Sequence, residues 1–209
     1  MRWIVTALLC VVVQAPSDKL PPAYPRPGAT KLLDNARVQV WNIAWLRGVS
    51  YPLHRHLYDL AGVYYSPGDR LIVSPEGAKR PVSTKAGEIA FQRRGVTHSE
   101  QGASDPPLRA VFVELKEEAP LGRAAHVQEG APPPVSEIGI KKLVDNDRVT
   151  VWGYSYGLGP EGPRHRHDVD AVVVWVVDGT PHAVWVPAGT IHAEEDVGVI
   201  SEATIFELK

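Results

Sequence analysis

Six of the eight histidines in the 209-residue chain fall into two sets of the same design. His54 and His56 form a His-x-His pair, and His98 follows on the turn Gly95-Val-Thr-His98. His165 and His167 form a second pair, and His192 follows on Gly189-Thr-Ile-His192. On a β-strand, residues i and i+2 project from one face, so each pair aims two imidazoles at one point. A third imidazole from a later strand completes a three-fold set of neutral donors. Such a set with open positions suits divalent Fe, Mn, Zn, Ni or Cu, and the residue types do not choose among them. Acids accompany both sets. Asp59 and Asp170 stand three residues past the second histidine, as further metal ligands or as supporting turn residues. Glu100 and Glu194 stand two residues past the third, on the same strand face, as acid/base or supporting groups. The bland alternative is that the histidines only pack and hydrogen-bond inside a core. It is weaker for two sets of three than for any single ring.

The elements that must hold these residues are also duplicated. Residues 31–41 (KLLDNARVQVW) recur as 142–152 (KLVDNDRVTVW), and both copies end in Glu-Leu-Lys, at 114–116 and 207–209. This predicts two tandem domains, 31–116 and 137–209, joined by a Pro-rich linker at 117–136. The strand signals are alternation in Arg37–Trp41 and Arg148–Trp152, and the β-branched run Ala171–Val177 followed by an Asp178-Gly179 turn. No stretch carries a helical period, so the reading is all-β, built as small barrels. The copies are unequal. His98 lies 42 residues after His56 (98 minus 56), and His192 lies 25 after His167 (192 minus 167). The shortfall corresponds to the stretch around Asp69–Thr84, enough for two strands and their turn. Losing two adjacent strands together keeps antiparallel order, so the second barrel is expected to be smaller by about one hairpin.

At this point the residues resemble the cupin superfamily. Gly159-Pro-Glu-Gly-Pro-Arg-His165-Arg-His167 and Pro187-Ala-Gly189-Thr-Ile-His192 follow its two motifs, and Gly87 with Arg93-Arg94-Gly95-Val-Thr-His98 follows the second one in copy one. The narrower pattern His-Arg-His-x-x-Asp is similar to small bacterial cupins grouped under β-alanine degradation. The resemblance implies a bicupin of two tandem double-stranded β-helix barrels, each holding a metal. It also implies a metal-dependent enzyme, dioxygenase-like before lyase or isomerase, acting on a small oxygenated organic molecule. The alternative is a non-catalytic binder of small molecules or sugars, with a structural metal or none. Asp59 and Asp170 stand where the family has Glu, and Gly102 and Asp196 where it has Asn. The first set, His54, His56 and His98, has the fuller barrel and is the preferred site of chemistry. Glu100 and Tyr65 are its candidate catalytic residues. Arg93 and Arg94 could bind a carboxylate beside it.

Composition bounds the rest. A formal charge of −2 without a Lys/Arg run argues against a nucleic-acid surface. The apolar run 3–13, which contains the lone Cys10, is too short to span a bilayer and reads as part of a signal peptide over 1–15. The mature chain would then be secreted or periplasmic, and otherwise cytoplasmic, without a membrane span. Residues 16–30 read as a Pro-rich arm. A homodimer through the barrel faces is a further expectation.

Overall fold

In the strands that form the centre of each copy, apolar side chains stand on both faces, so each strand must be covered twice. The computed structural model describes residues 19–117, 120–124, 129–155, 162–199 and 202–209. The expected signal peptide, Cys10, the linker residue His126 and the motif residues 159–161 lie outside them. Copy one contains β1 (Ala29–Asp34), β2 (Val38–Trp45), β3 (Ser50–Arg55), β4 (Asp59–Ser66), β5 (Gly68–Val73), β6 (Lys79–Thr84), β7 (Ile89–Gln92), β8 (Thr97–Gly102) and β9 (Leu108–Leu115). Copy two contains β10 (Lys141–Asp145), β11 (Val149–Ser155), β12 (His165–Arg166), β13 (Ala171–Val177), β14 (Thr180–Val186), β15 (Ile191–His192) and β16 (Glu202–Leu208).

In copy one a five-stranded sheet, β1-β2-β9-β4-β7, is accompanied by a four-stranded sheet, β3-β8-β5-β6. In copy two the order β10-β11-β16-β13-β14 repeats the first sheet strand for strand, but its companion is only β12-β15. The strands without counterparts are β5 and β6, an antiparallel hairpin running from Gly68↔Thr84 to Val73↔Lys79. The protein is therefore all-β, with two tandem barrels of which the second is one hairpin short, as the spacing of its histidines required. Among the described residues no helix is long and apolar enough to cross a membrane.

The repeated sequence has a structural job at one end of each barrel. Asn35 Oδ1 accepts the N–H groups of Arg37 and Val38, and Asn146 Oδ1 accepts those of Arg148 and Val149, closing equivalent turns. Lys116 Nζ donates to Asp34 and to the Asn35 carbonyl, and Lys209 Nζ to Asp145 and the Asn146 carbonyl. Trp41 Nε1 donates to Glu114 and Trp152 Nε1 to Glu207. The terminal Glu-Leu-Lys of each copy is thus tied back to its opening Asp-Asn and Val-Trp. Even the bulge in β1, between Lys31 and Leu33, recurs in β10 between Lys142 and Val144.

Strand alternation then assigns the two covers. Val38 and Val40 of β2, Ala61 of β4, and Val111 and Val113 of β9 pack against Val149, Val151, Val172, Val174 and Phe206 in one cluster common to both copies. The opposite faces, with Trp41, Ile43 and Trp45 in copy one and Trp152, Ala171 and Val173 in copy two, fill the separate barrel interiors. The arm is part of copy one as well. Pro22 bridges Arg55, Ala23 and Tyr24 are buried, and Tyr24 stacks on Trp41.

A common core makes the barrels unfold together. One cooperative urea transition is expected, identical by tryptophan fluorescence and far-ultraviolet circular dichroism. Phe206→Ala, at a fully buried position of that core, should cost about 3–5 kcal/mol. Two resolved transitions would show that the barrels are independent.

Candidate metal centres

The first set is assembled by register. Antiparallel pairing of β3 with β8 places His54 opposite His98. His56 is fixed just beyond β3 by the Gly95 turn: its N–H donates to the Val96 carbonyl and its carbonyl accepts the Gly95 N–H. Gly95 itself sits at a φ of 87°, which favours glycine. Ring centroids lie 4.7 Å apart for His54 and His98, 5.2 Å for His56 and His98, and 5.3 Å for His54 and His56. His54 Nδ1 is 2.9 Å from the Pro52 carbonyl. A carbonyl only accepts, so Nδ1 carries the proton and Nε2 presents a lone pair. The Nε2 atoms of His54, His56 and His98 are buried without a hydrogen-bond partner among the described residues.

The second set is built alike, with ring centroids 4.8–5.2 Å apart. His165 faces His192 across β12 and β15. His165 Nδ1 is 3.1 Å from the Pro163 carbonyl, and His167 Nδ1 is 3.3 Å from Glu207 Oε1. Both Nδ1 atoms therefore donate, and both Nε2 lone pairs face each other at 3.3 Å. His167 Nε2 is 3.0 Å from His192 Nε2. Facing lone pairs repel unless a cation lies between them. Two nitrogens bound tetrahedrally at about 2.0–2.1 Å stand about 3.3 Å apart, which is the separation found here. Glu194, fully buried in the short 3-10 turn Glu194–Val197, brings its Oε1 to 3.3 Å from His165 Nε2. Neither of its oxygens has a hydrogen-bond partner among the described residues. An anion left bare in a dry interior is costly, so this donor set fits a divalent cation.

Glu100 occupies the equivalent position and has the opposite surroundings. Its Oε2 accepts from Arg26 at 2.6 Å and from Trp45 Nε1 at 3.0 Å, and its Oε1 from Arg70 at 3.0 Å. Burial alone would raise its pKa, but the two guanidiniums outweigh burial and hold it well below the carboxylate range. It is a fixed anion, 3.8 Å from His98 Nε2, and not a carboxyl poised to exchange protons. Sequence position gave Glu100 and Glu194 one role. Their different partners separate them: Glu194 joins the group of four potential ligands, and Glu100 does not join the group of three.

The aspartates and Tyr65 need correction. Asp59 Oδ1 accepts the Arg94 N–H at 2.8 Å, and its Oδ2 faces Arg93 at 3.4 Å and Arg148 at 3.2 Å. Asp170 accepts the N–H groups of Gly122 at 2.7 Å and Ala188 at 3.0 Å. Neither joins a histidine set. The reason is parity: Asp59 shares its face of β4 with Ala61, and Asp170 shares its face with Val172, so both look towards the other copy. Tyr65 has the same fault. Its hydroxyl donates to Asn42 Oδ1 at 2.6 Å, and it lines a cleft of about 480 Å³ between the barrels, beside Leu143 and Trp175. Tyr64, one residue earlier, faces the first barrel's interior, where its hydroxyl accepts from Arg70. Arg93 and Arg94 are ion-paired to Asp147 and Glu117 and stand outside the site. A cavity of about 350 Å³ opens beside the first set, lined by His56, His98 and Glu100 together with Tyr24, Tyr64 and Arg70. Sequence reasoning missed Tyr24, Arg26 and Arg70, because none belongs to a motif.

No family model matches the chain. The β-alanine degradation protein BauB of Pseudomonas aeruginosa is 33% identical over 92 residues, which is 44% of this chain and 96% of that protein. A cupin domain from Bordetella pertussis is 32% identical, over 44% of this chain and 98% of its own, with a TM-score of 0.40. The chain belongs to the cupin superfamily. A second cupin structure, a cupin 2 conserved barrel domain protein from Leptotrichia buccalis, is 18% identical with a TM-score of 0.50. It covers 87% of this chain and 88% of its own length, so the likeness of fold extends through both copies.

Burial disfavours the charged form of His54, His56, His98 and His192. Burial, then the neighbouring imidazoles, press His56 down to about 3. Burial lowers His98 and His192 to about 4, against the pull of Glu100 and Glu194 respectively. An unfolded chain protonates such rings below about pH 6.5, whereas the fold refuses the proton until about pH 4. Metal-free protein should therefore lose stability steadily as pH falls from about 6.5 to 4. A melting temperature that stays level across that interval would mean that water reaches the rings.

Proposed function

We propose that the protein is a metal-binding bicupin in which the first barrel acts on a small oxygenated organic molecule and the second holds its metal structurally. The observation that carries this reading is the convergence of two sets of three buried imidazoles, the first with Nε2 atoms lacking a partner among the described residues and the second with Nε2 atoms facing one another and Glu194. A divalent transition metal bound there would supply Lewis acidity and, for Fe, Mn or Cu, access to redox chemistry. His54, His56 and His98 would hold it in the first barrel, and His165, His167, His192 and Glu194 in the second.

The donor sets divide the labour. Four donors suffice for a closed tetrahedral site, whereas three leave a position for substrate. The roomy cavity also adjoins the first set. Within it Tyr24, Tyr64 and Phe112 supply apolar walls that exclude water and orient a small molecule. Resemblance to three-histidine cupins that lack the carboxylate ligand implies oxygenase-type chemistry before lyase or isomerase chemistry. A second reading, a non-catalytic binder, is favoured by the closed donor set and short wall of the second barrel. Export to the periplasm or medium is part of the proposal, resting on the apolar run 3–13.

Metal analysis after reloading with Fe, Mn, Zn, Ni or Cu should find two equivalents. His98→Ala and His192→Ala should each remove one while leaving circular dichroism unchanged. Glu194→Gln should weaken the second site at least about tenfold, and Glu100→Gln should leave metal content as it was. Below about 0.2 equivalents with every metal, the reading fails. Loss of folding in His98→Ala would favour the non-catalytic alternative.

A further inference from the structure

The hairpin that only the first barrel possesses does more than lengthen its wall. Register across the sheet sets Arg80 of β6 opposite Ile72 of β5, and Ile72 opposite Glu100 of β8. Cross-strand partners share a face, so Arg80, Ile72 and Glu100 form one row directed into the cavity. Arg70, two residues before Ile72, shares that face. The Arg80 guanidinium makes no hydrogen bond or ion pair with the described residues, and it lies at the edge of the cavity that His56 and His98 also line.

The charges around this cavity do not balance. Among the described residues Glu100 is the only acid lining it, and Arg26 and Arg70 already compensate it with one positive charge to spare. Arg80 adds a second, and the three imidazoles are neutral. A divalent metal would raise the excess further. Two buried donors lining this cavity from opposite sheets also lack a partner among the described residues, Gln92 Nε2 on β7 and Arg70 Nε on β5. Unpaired cations and amide hydrogens beside apolar walls are arranged to receive an acceptor-rich anion. The second barrel has the reverse character. Among the described residues it lacks the hairpin and both arginines, and no cation pairs with its Glu194.

We propose that the first barrel takes a small organic carboxylate, with Arg80 as the residue that selects its charge and Gln92 as a second donor to it. The carboxylate lies towards Arg80 and Gln92, and the rest of the molecule points towards His56 and His98. A cavity of about 350 Å³ limits it to the small end of ligand size. This deepens the function proposed above and rests on it for the metal.

The test compares propanoate with its uncharged isostere propanamide by calorimetry, on the full chain both zinc-loaded and metal-free. Propanoate should bind at least about tenfold tighter than propanamide. Arg80→Gln should abolish most of that preference without altering zinc content or melting temperature, since Arg80 is exposed. Arg80→Lys should keep part of it, and Gln92→Leu should weaken propanoate more than propanamide. Equal binding of the two probes, failure of both to bind at tens of millimolar, or a preference indifferent to Arg80 would overturn the proposal. The two readings fail separately. If zinc is not taken up but the preference still follows Arg80, the metal reading falls and the anion site stands. If zinc binds and the preference ignores Arg80, the reverse holds.

Discussion

A strand has two faces, and in the central strands of this protein both are claimed. In β2, β4, β9 and their counterparts one face lines a barrel and the other packs against the second copy. That double burial fixes parity at every position, because a slip of one residue would exchange the two covers along the whole strand. The histidines inherit their convergence from this constraint. β3 and β8 are hung from the central sheet with a register that puts His54 against His98, and β12 and β15 do the same for His165 and His192.

The same constraint explains how equivalent residues come to do different things. Glu100 and Glu194 occupy matching places after the third histidine. Copy one surrounds its glutamate with guanidiniums from the arm and from the extra hairpin. Copy two lacks the hairpin, and the segment that docks on Arg166 as the arm docks on Arg55, residues 133–135, brings no arginine, so its glutamate is left facing imidazoles. The site chemistry is thus decided by what was added around a common frame. Arg148 of copy two meets Asp59 of copy one, and Asp170 acts on Arg37 in the reverse sense, so the frame also carries charge contacts across the joint.

Much of this was legible in the chain. The fold class, the duplication, the missing hairpin near Asp69–Thr84 and the two histidine sets follow from spacing and alternation alone. Asp59, Asp170 and Tyr65 lie near a histidine in sequence, yet strand parity turns them to the opposite face. Once Ala61 and Val172 are assigned to the joint between copies, residues two positions earlier must follow them. Arg26 and Arg70 were invisible for a different reason. Their partner Glu100 is reached through tertiary packing over 74 and 30 residues, and no local pattern encodes that.

The arm has a consequence for how the molecule can be divided. Arg26 lies within 5.3 Å of the Tyr24 and Trp45 rings and 4.2 Å of Tyr51, with its charge on Glu100. A fragment cut at the boundaries of the repeat would keep every histidine of the first barrel and still lose one of the two cations that quiet Glu100. Its carboxylate would then confront the imidazoles much as Glu194 does in the second barrel. The repeat unit and the working unit of copy one are different lengths of chain, and excising the shorter one would change the charge of the site it was meant to preserve.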